Sequence, residues 1–518
     1  MIMKSRMMLF SSCSLLIHRA SSFVNQVREV RTLPSLHAFK LSFGSPPAGS
    51  DPDATFLYGK KELLRKMAIE MDLVEESVVD AMLASSGASA TTFLPSTGKT
   101  LTLYTLPDSV SRNNHPMSVH KITSTLKSAV PKKGTSWVRV CGVSHPAAMA
   151  SAVAKALPLY DRKTDPKEME ATVILSCVDD ELQEICGSGH SDVAVAEAVQ
   201  LACRLVDCTP EELDTTVFVN ECQKVADRFD SVTMTEIVGQ ELKDKGYGGL
   251  YGVGKAAESP PRLVIMEYDP PTQDPKETVA LVGKGIVYDT GGLSLKSKEG
   301  MSGMKHDMGG AAGMLGAFLA AVNLQVDQKL YLILCLAENA IGPSAFRNDD
   351  ILTLYSGKTV EINNCDAEGR LVLGDGVAHA TKHYACDLVI DMATLTGAQL
   401  VATGKVHAGI LANSVDLEQR AIKAGIASGD LVFPLLYAPE LLKDEFDSKV
   451  ADMKNSVKDR SNAQASCAGH FVESHLAADY EGGWLHIDMA GPGTSDQRGT
   501  GYGVGLILAL LQAPGFRE

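Results

Sequence analysis

The sequence predicts an α/β protein of two domains behind an N-terminal leader, on three observations. The chain has 518 residues, more than one ordinary hydrophobic core accommodates. Apolar runs of strand length alternate with segments of helical spacing along most of it. The leader, by contrast, is basic and serine-rich, unlike everything after it.

Composition narrows the class. Hydrophobic residues make up 45% and charged residues 21%, the balance of a globular protein. A net charge of −15 argues against a generic nucleic-acid or anionic-membrane binder, leaving room only for a local basic patch. The 11 cysteines are scattered without a Cys-x-x-Cys pair, which fits free thiols in a reduced compartment rather than a disulfide framework. Apolar runs such as 331–336 are far too short to cross a membrane.

Taken in order, residues 1–44 form the leader. Lys4, Arg6, Arg19, Arg28 and Arg31 are basic, and Glu29 is an isolated acid among them. This fits an organellar transit peptide, so the expected location is cytoplasmic or, behind such a leader, mitochondrial or plastid. A short signal-peptide core at 7–16 and an extension without an address are the alternatives, and the free thiols weigh against the secretory one. Residues 45–55, rich in Gly, Pro, Ser and Asp, read as a linker. The first α/β domain is placed at 45–230, with strands at 137–143, 171–178 and 216–219 and a helix at 193–206. His190 and Asp192 read as a surface loop before that helix, and no catalytic cluster falls in this half. The second domain is placed at 231–518. A bridging helix at 232–245 and a Gly-rich turn at 246–252 precede strands at 263–266, 278–282, 330–335, 388–392 and 484–487. Helices at 310–322, 373–383 and 417–427 separate several of them. The pattern is a mixed, mainly parallel sheet with helices on both faces. No internal repeat or low-complexity tract stands out.

The chemistry sits in the second half. Asn364-Cys365-Asp366-Ala367-Glu368-Gly369-Arg370-Leu371 packs two acids and an arginine into five positions beside a run that reads as buried. Such charge is costly unless something binds it. Upstream, Lys284, Asp289, Lys296 and Asp307 follow or surround the strand at 278–282, and the segment 355–362 leads into Asp366 and Glu368. Ligands of open α/β sheets bind at the carboxyl ends of strands, and Asp307 stands at the positive start of the helix beginning near 308–312. Four carboxylates, two lysines and one arginine suit a two-metal hydrolytic centre for hard or borderline divalent cations. Asp289 and Glu368 could bridge two ions. One lysine could lose its proton to the local positive charge and ligate, the other could stabilise an oxyanion, and the arginine could hold a carboxylate- or carbonate-type anion bidentately.

Each signal is weak alone. Asp-x-Glu-x-Arg is more often an ion-paired surface loop, and a lone turn lysine is usually solvated. A phosphate loop, a Rossmann fingerprint and His-Glu-x-x-His are all absent from the sequence. Cys365 lacks a local His partner to make it a nucleophile.

At these residues the chain resembles the leucyl aminopeptidase family of two-zinc cytosol aminopeptidases, whose signature reads Asn-Thr-Asp-Ala-Glu-Gly-Arg-Leu. The segments 282–292, 304–312, 393–397 and 484–491 and Lys296 also match. The resemblance covers about residues 230–512, and the segments 251–255 and 451–456 are similar to the family's "probable aminopeptidase" branch. It implies an N-terminal macro-like α/β domain and a C-terminal zinc-exopeptidase (phosphorylase/hydrolase-like) α/β/α domain, assembled as a homohexamer. Lys284, Asp289, Asp307 and Glu368 would hold one metal ion. Asp289, Asp366 (also through its carbonyl) and Glu368 would hold the other, the ions being Zn2+ or Mn2+, with Co2+ or Mg2+ tolerated. Lys296 would polarise the scissile carbonyl, and Arg370 would hold a bicarbonate acting as general base. Asp307 would help bind the substrate's free α-amine. Met304, Thr394, Gly397 and Ala490 would line the pocket for the first side chain of a peptide substrate.

Three positions depart from the family pattern. Cys365 replaces Thr and puts a thiol beside the metals, where it could bind metal or oxidise. Gly374 replaces Ala near a helix start. Gly493 replaces a bulky apolar residue of some members, which would widen the pocket and relax a leucine preference. The expected function is a metal-dependent aminopeptidase of intracellular peptide turnover. A narrow dipeptidase, for instance on Cys-Gly, is one alternative. A non-catalytic or DNA-binding hexamer is the other, and the acidic balance disfavours nucleic acid.

Overall fold

The computed structural model describes residues 39–47, 50–163, 171–185, 190–272 and 274–517. The leader expected at 1–44 lies outside them up to residue 38, and its end contributes a strand, β1 (Lys40–Phe43), which pairs with the first sheet.

That sheet also contains β2 (Ala54–Lys60), β3 (Ser89–Phe93), β4 (Thr100–Leu106), β5 (Gly134–Cys141) and β6 (Ala171–Val178), in the order β1-β6-β5-β2-β4-β3. Only β3 runs antiparallel to its neighbour. The β6 sequence, Ala-Thr-Val-Ile-Leu-Ser-Cys-Val, reads as an unbroken apolar run because nearly every residue in it is buried, as a parallel strand covered on both faces requires. The second sheet contains β7 (Val232–Val238), β8 (Arg262–Tyr268), β9 (Thr278–Asp289), β10 (Lys329–Asn339), β13 (Leu388–Ala393), β14 (Ala408–Ala412), β15 (Val432–Pro434) and β17 (Gly483–Asp488). Their order is β15-β14-β17-β13-β9-β10-β8-β7, and the centre, β17-β13-β9-β10, is parallel. The intervening β11 (Ile351–Thr353), β12 (Thr359–Glu361) and β16 (Met453–Lys454) form a small separate sheet. The mixed α/β architecture predicted from the sequence is therefore present.

The core is layered. One apolar cluster joins the inner faces of both sheets through the helices Pro146–Ala156, His190–Asp207, Gly309–Asn323 and Val504–Leu510. The helix Gly309–Asn323 is buried through Val322, which explains why its sequence is apolar all round. A second cluster covers the other face of the larger sheet, with the helices Gly369–His383, Gln464–Glu473 and Gly248–Gly254. Lys155, in the inner layer, pairs with buried Asp430. Asp430 Oδ2 in turn accepts the backbone N–H groups of Gly503 and Gly505, each at 3.1 Å, at the start of the helix Val504–Leu510.

Four local expectations are corrected. Residues 216–219 are not a strand but part of the helix Thr215–Ala226. Asp214 caps it by accepting the Val217 N–H at 2.8 Å, and Val217, Phe218, Cys222 and Val225 bury one face. Residues 232–245 are not one helix. Val232–Val238 pairs along its whole length with β8, and Gly239, at φ 56°, separates it from a short helix, Gln240–Asp244. A short apolar pattern at an edge strand fits either period. Residues 246–252 run into a helix, Gly248–Gly254, rather than a turn. Its glycines answer close packing: a Cβ on Gly249 would lie 2.5 Å from the Leu371 carbonyl oxygen. Finally, the segment of His190 and Asp192 opens the helix His190–Asp207, and Asp192 is buried.

Candidate active site and metal centre

The four central parallel strands end at one place. β9 ends at Asp289, β10 at Asn339, β13 just before Thr394 and β17 at Asp488. On β9, Ala280, Val282 and Ile286 face the second core cluster, and Lys284 shares their alternation. The register with β10 shifts between the pairs Ala337–Ile286 and Asn339–Asp289. The extra β9 residue in this bulge brings odd-numbered Asp289 to the Lys284 side. Asp366 and Glu368 arrive on the turn before the helix Gly369–His383.

The polar residues singled out in the sequence converge. Lys284 Nζ lies 2.9 Å from both Asp307 oxygens, 3.0 Å from Glu368 Oε1 and 3.0 Å from the Thr394 carbonyl. Lys296 Nζ lies 2.8 Å from Asp289 Oδ2 and 2.5 Å from Asp366 Oδ1. Carboxylate oxygens of Asp289, Asp366 and Glu368 fall within 4.8 Å of one another. Each lysine thus sits between carboxylates where a cation would sit. The floor of the centre is buried, with Lys284 and Glu368 each 2% exposed and Arg370 4% exposed, while Asp366 and Lys296 are partly exposed.

Burial governs the electrostatics. It opposes the charge on Lys284, but the carboxylates of Asp307, Glu368 and Asp289 outweigh it and hold the ammonium above the ordinary lysine range. The same contest, with Asp289 and Asp366 as partners, raises Lys296. Burial raises Glu368, reinforced by Asp289 and opposed by Lys284. It also raises Asp307, again against Lys284, and Asp366, against Lys296. Burial lowers Arg370 to about 10. Acids so reluctant to ionise, with Asp307 and Glu368 buried, are what added positive charge would relieve.

The donor set passes a direct test of fit to metal ions and an anion. Glu368 Oε2 is buried with no hydrogen-bond partner, as are Arg370 Nε and Nη1. Buried groups of this kind are nearly always paired. Free carboxylate oxygens and an unengaged guanidinium edge suit a hard cation and a planar anion respectively.

The expected pocket residues lie around the same centre. Thr394 Oγ1 donates to Asp307 Oδ1 at 2.8 Å, and the Asp307 N–H donates to the carbonyl of Met304, on the 3-10 turn Met304–His306. Gly397 begins the helix Gly397–Thr403 with open space where a Cβ would be. Asp488 ties this edge together, accepting from Leu395 N at 3.1 Å, Ala490 N at 3.2 Å and Thr396 Oγ1 at 2.6 Å. A Cβ on Gly493 would lie 3.0 Å from Met489 Cε and 3.3 Å from Thr394 Cγ2, so a bulky residue there would press on Met489 and Thr394. The Gly374 departure is likewise fitted, since a Cβ would lie 3.0 Å from His475 Cδ2.

The Cys365 expectation is corrected. Its thiol is fully buried and directed to the Phe346 carbonyl and Asn348 Oδ1, each at 3.5 Å, and burial raises its pKa. It packs behind the loop instead of facing the carboxylates.

Two supports were missed in the sequence. Asn339 Nδ2 donates to Asp289 Oδ1 at 2.8 Å and to the Cys365 carbonyl at 3.1 Å. Asn455 braces the acidic loop, accepting from Asn363 N at 2.9 Å and donating to the Asn364 carbonyl at 2.7 Å. The only signal for Asn339 was a polar residue ending an apolar run.

Sequence and fold also match those of known proteins. Residues 200–508 match the cytosol aminopeptidase family, catalytic domain. The chain is 46% identical over 451 residues to Probable aminopeptidase NPEPL1 of Mus musculus, spanning 85% of this chain and 84% of that one. It is 39% identical over 479 residues to Leucine aminopeptidase 1 of Caenorhabditis elegans, spanning 90% and 96%. Its fold superposes on the leucyl aminopeptidase of Trypanosoma brucei in complex with bestatin with a TM-score of 0.83, at 37% identity, covering 92% of this chain and 96% of that one.

Proposed function

The chain belongs to the cytosol aminopeptidase family, and from that premise we propose that it releases N-terminal residues from peptides at a two-metal centre. The observation that carries this reading is the convergence of five potential ligands, Lys284, Asp289, Asp307, Asp366 and Glu368, with Lys296 and Arg370 in one cluster that is buried except at Asp366 and Lys296. Lys284, Asp289, Asp307 and Glu368 would hold one ion, and Asp289, Asp366 and Glu368 would hold the other. When bound, the ions supply water acidified toward neutral pH and Lewis-acid polarisation.

The chain's own groups do the rest. Asp307, fixed by Thr394, accepts a hydrogen bond from the substrate's free α-amine, so a blocked N-terminus loses its anchor. Lys296 donates to the scissile carbonyl oxygen as charge develops there. The Arg370 fork, with Nε and Nη1 free of protein partners, would hold bicarbonate, a group able to supply a general base. Asn339 keeps Asp289 aimed through its Oδ1 bond. Met304, Thr394, Gly397 and Ala490 line the first side-chain pocket, and Gly493 leaves room for residues beyond leucine. The family likeness extends the reading to zinc or manganese as the ions, to a homohexamer and to intracellular peptide turnover, and the basic, serine-rich composition of residues 1–44 supports a leader.

The test is hydrolysis of aminoacyl amides and dipeptides by the full chain with Zn2+ or Mn2+ added, and again after chelation. Chelator-sensitive release that stops when the substrate is N-acetylated supports the reading. A folded, metal-loaded protein that releases nothing from any unblocked peptide overturns it.

A further inference from the structure

We propose that His486, held by Asp391, is a positioning residue for the aminopeptidase reaction, and that its proton sets the acid limit of turnover from the buried layer it shares with Arg370. The inference rests on the two-metal aminopeptidase reading. Asp391 and His486 are directly opposite one another in the parallel pairing of β13 with β17, and both are fully buried. His486 Nδ1 lies 2.5 Å from Asp391 Oδ1, and Trp484 Nε1 donates to Asp391 Oδ2 at 2.9 Å. With Nδ1–H given to the carboxylate, the tautomer is fixed. The ring then presents Nε2, a buried atom with no hydrogen-bond partner.

This dyad sits on the face of the sheet that carries the chemistry. Trp484 on β17, Val389 and Ala393 on β13, and Val282 and Ile286 on β9 all point into the second core cluster. By alternation His486, Asp391 and Lys284 point the same way. Asp391 is the register partner of Val282, two residues before Lys284. The helix Gly369–His383, which brings Arg370, covers that face.

The charged and titratable groups facing His486 are Asp391 from β13, Asp488 from its own strand and Arg370 from the covering helix. The helix Gln464–Glu473 contributes Gly469, whose Cβ would lie 2.9 Å from His486 Cδ2, and β14 contributes apolar Leu411, which meets the same point. Cys467 on that helix neighbours Arg370. Burial alone would keep His486 neutral, yet Asp391 and Asp488 outweigh both burial and Arg370 and raise its pKa.

The consequence follows from charge. Neutral His486 leaves Arg370, with its Nε and Nη1 free of protein partners, as the cation facing the dyad, while Lys284 on the same face is matched by Asp307 and Glu368. A proton taken up on Nε2 adds a second positive charge beside it. That charge opposes the further positive charge the carboxylate cluster must hold, so turnover falls as pH drops through the His486 pKa.

The experiment measures kcat and KM for leucinamide hydrolysis by the Mn2+-loaded full chain against pH. Wild type is compared with His486→Gln, which cannot be protonated, and with Asp391→Asn, which keeps the shape but removes the charge favouring imidazolium. Asp391→Asn is expected to move the acid limb down by about one pH unit. His486→Gln is expected to lose that limb, with kcat lowered roughly tenfold and KM unchanged. A second readout uses metal-free protein. A raised histidine pKa stabilises the fold below its unfolded value, and this contribution is lost as pH rises through the folded value. The Tm gap between wild type and His486→Gln should therefore be wide at acid pH and close on raising it. Acid limbs that stay at the wild-type pH in both variants overturn the proposal, whatever their stability, as does recovery of the wild-type profile by extra metal alone. An inactive wild type would instead overturn the aminopeptidase reading, and the Tm gap would still report the dyad.

Discussion

Replacing Gly369 by alanine tests the proposed metal centre without mutating a ligand. A Cβ at this position would lie 2.5 Å from both Cε and Nζ of Lys284. Ordinary non-bonded contacts need about 3.5 Å, so the lysine terminus must retreat by about 1 Å. It has little room to do so, because Nζ is already committed to Asp307, Glu368 and the Thr394 carbonyl at 2.9–3.0 Å. A helical alanine is itself slightly more favourable than glycine, so the fold should survive while the site is distorted. A displacement of this size costs roughly 100-fold in rate and about 10–100-fold in metal affinity. The assay pairs kcat/KM for leucinamide with a calorimetric titration of Zn2+ or Mn2+ into metal-free protein, with Tm as a control. The expected result is loss of one of two binding events at unchanged Tm. Two ions bound with wild-type affinity and turnover within a factor of about two would refute the claim that Lys284 must occupy this position.

Other outcomes follow from the same geometry. Glu368→Ala removes the acid placed between Lys284 and the Asp289–Asp366 pair and should abolish turnover; near-normal rates with two ions bound, measured by metal analysis, would sink the assignment. Arg370→Ala should slow turnover less than Glu368→Ala does, because the bicarbonate it would hold assists a reaction the ions already drive; an equally deep loss in side-by-side kinetics would give Arg370 a larger role. Asp375 is fully buried, and burial pushes it up to about 7 despite backbone N–H bonds from Leu250 and Tyr355 at 2.8 and 2.7 Å. The folded state therefore holds a proton that the unfolded chain has released across about pH 4 to 7, and stability falls as pH rises through that window, by up to about 1.4 kcal/mol per unit. In denaturant titrations Asp375→Asn should lack that slope; an identical slope in both proteins would mean Asp375 is ionised throughout.

Much of this centre was legible because its chemistry is concentrated in sequence. Asp366, Glu368 and Arg370 lie within five positions, where charge beside an apolar run has no cheap explanation. Lys284 and Asp289 could be placed at a strand end because β9 is a clear apolar run. The brackets around them were not legible. Asn339 and Asn455 act through partners 50 and 91 residues away, and nothing local distinguishes such an asparagine from one in a turn. The helix Thr215–Ala226 was hidden by its β-branched start, Thr-Thr-Val-Phe-Val, since the Asp214 cap outweighs that preference. The strand Val232–Val238 was hidden for the converse reason, since its pairing with β8 supplies what its sequence pattern does not.

The junction of Lys155, Asp430 and the helix Val504–Leu510 has a consequence for biosynthesis. Lys155 and Asp430 are 275 residues apart, and Asp430 finds its backbone donors only when residues 503–505 arrive. At roughly 5–20 residues per second, tens of seconds separate translation of the two halves. The first sheet can pair early, but the cover of its inner helices is completed only when the helices Gly309–Asn323 and Val504–Leu510 arrive. During that interval the nascent chain presents the alanine-rich surface of Pro146–Ala156 to solvent, a substrate for chaperones and a hazard for aggregation until the last residues leave the ribosome.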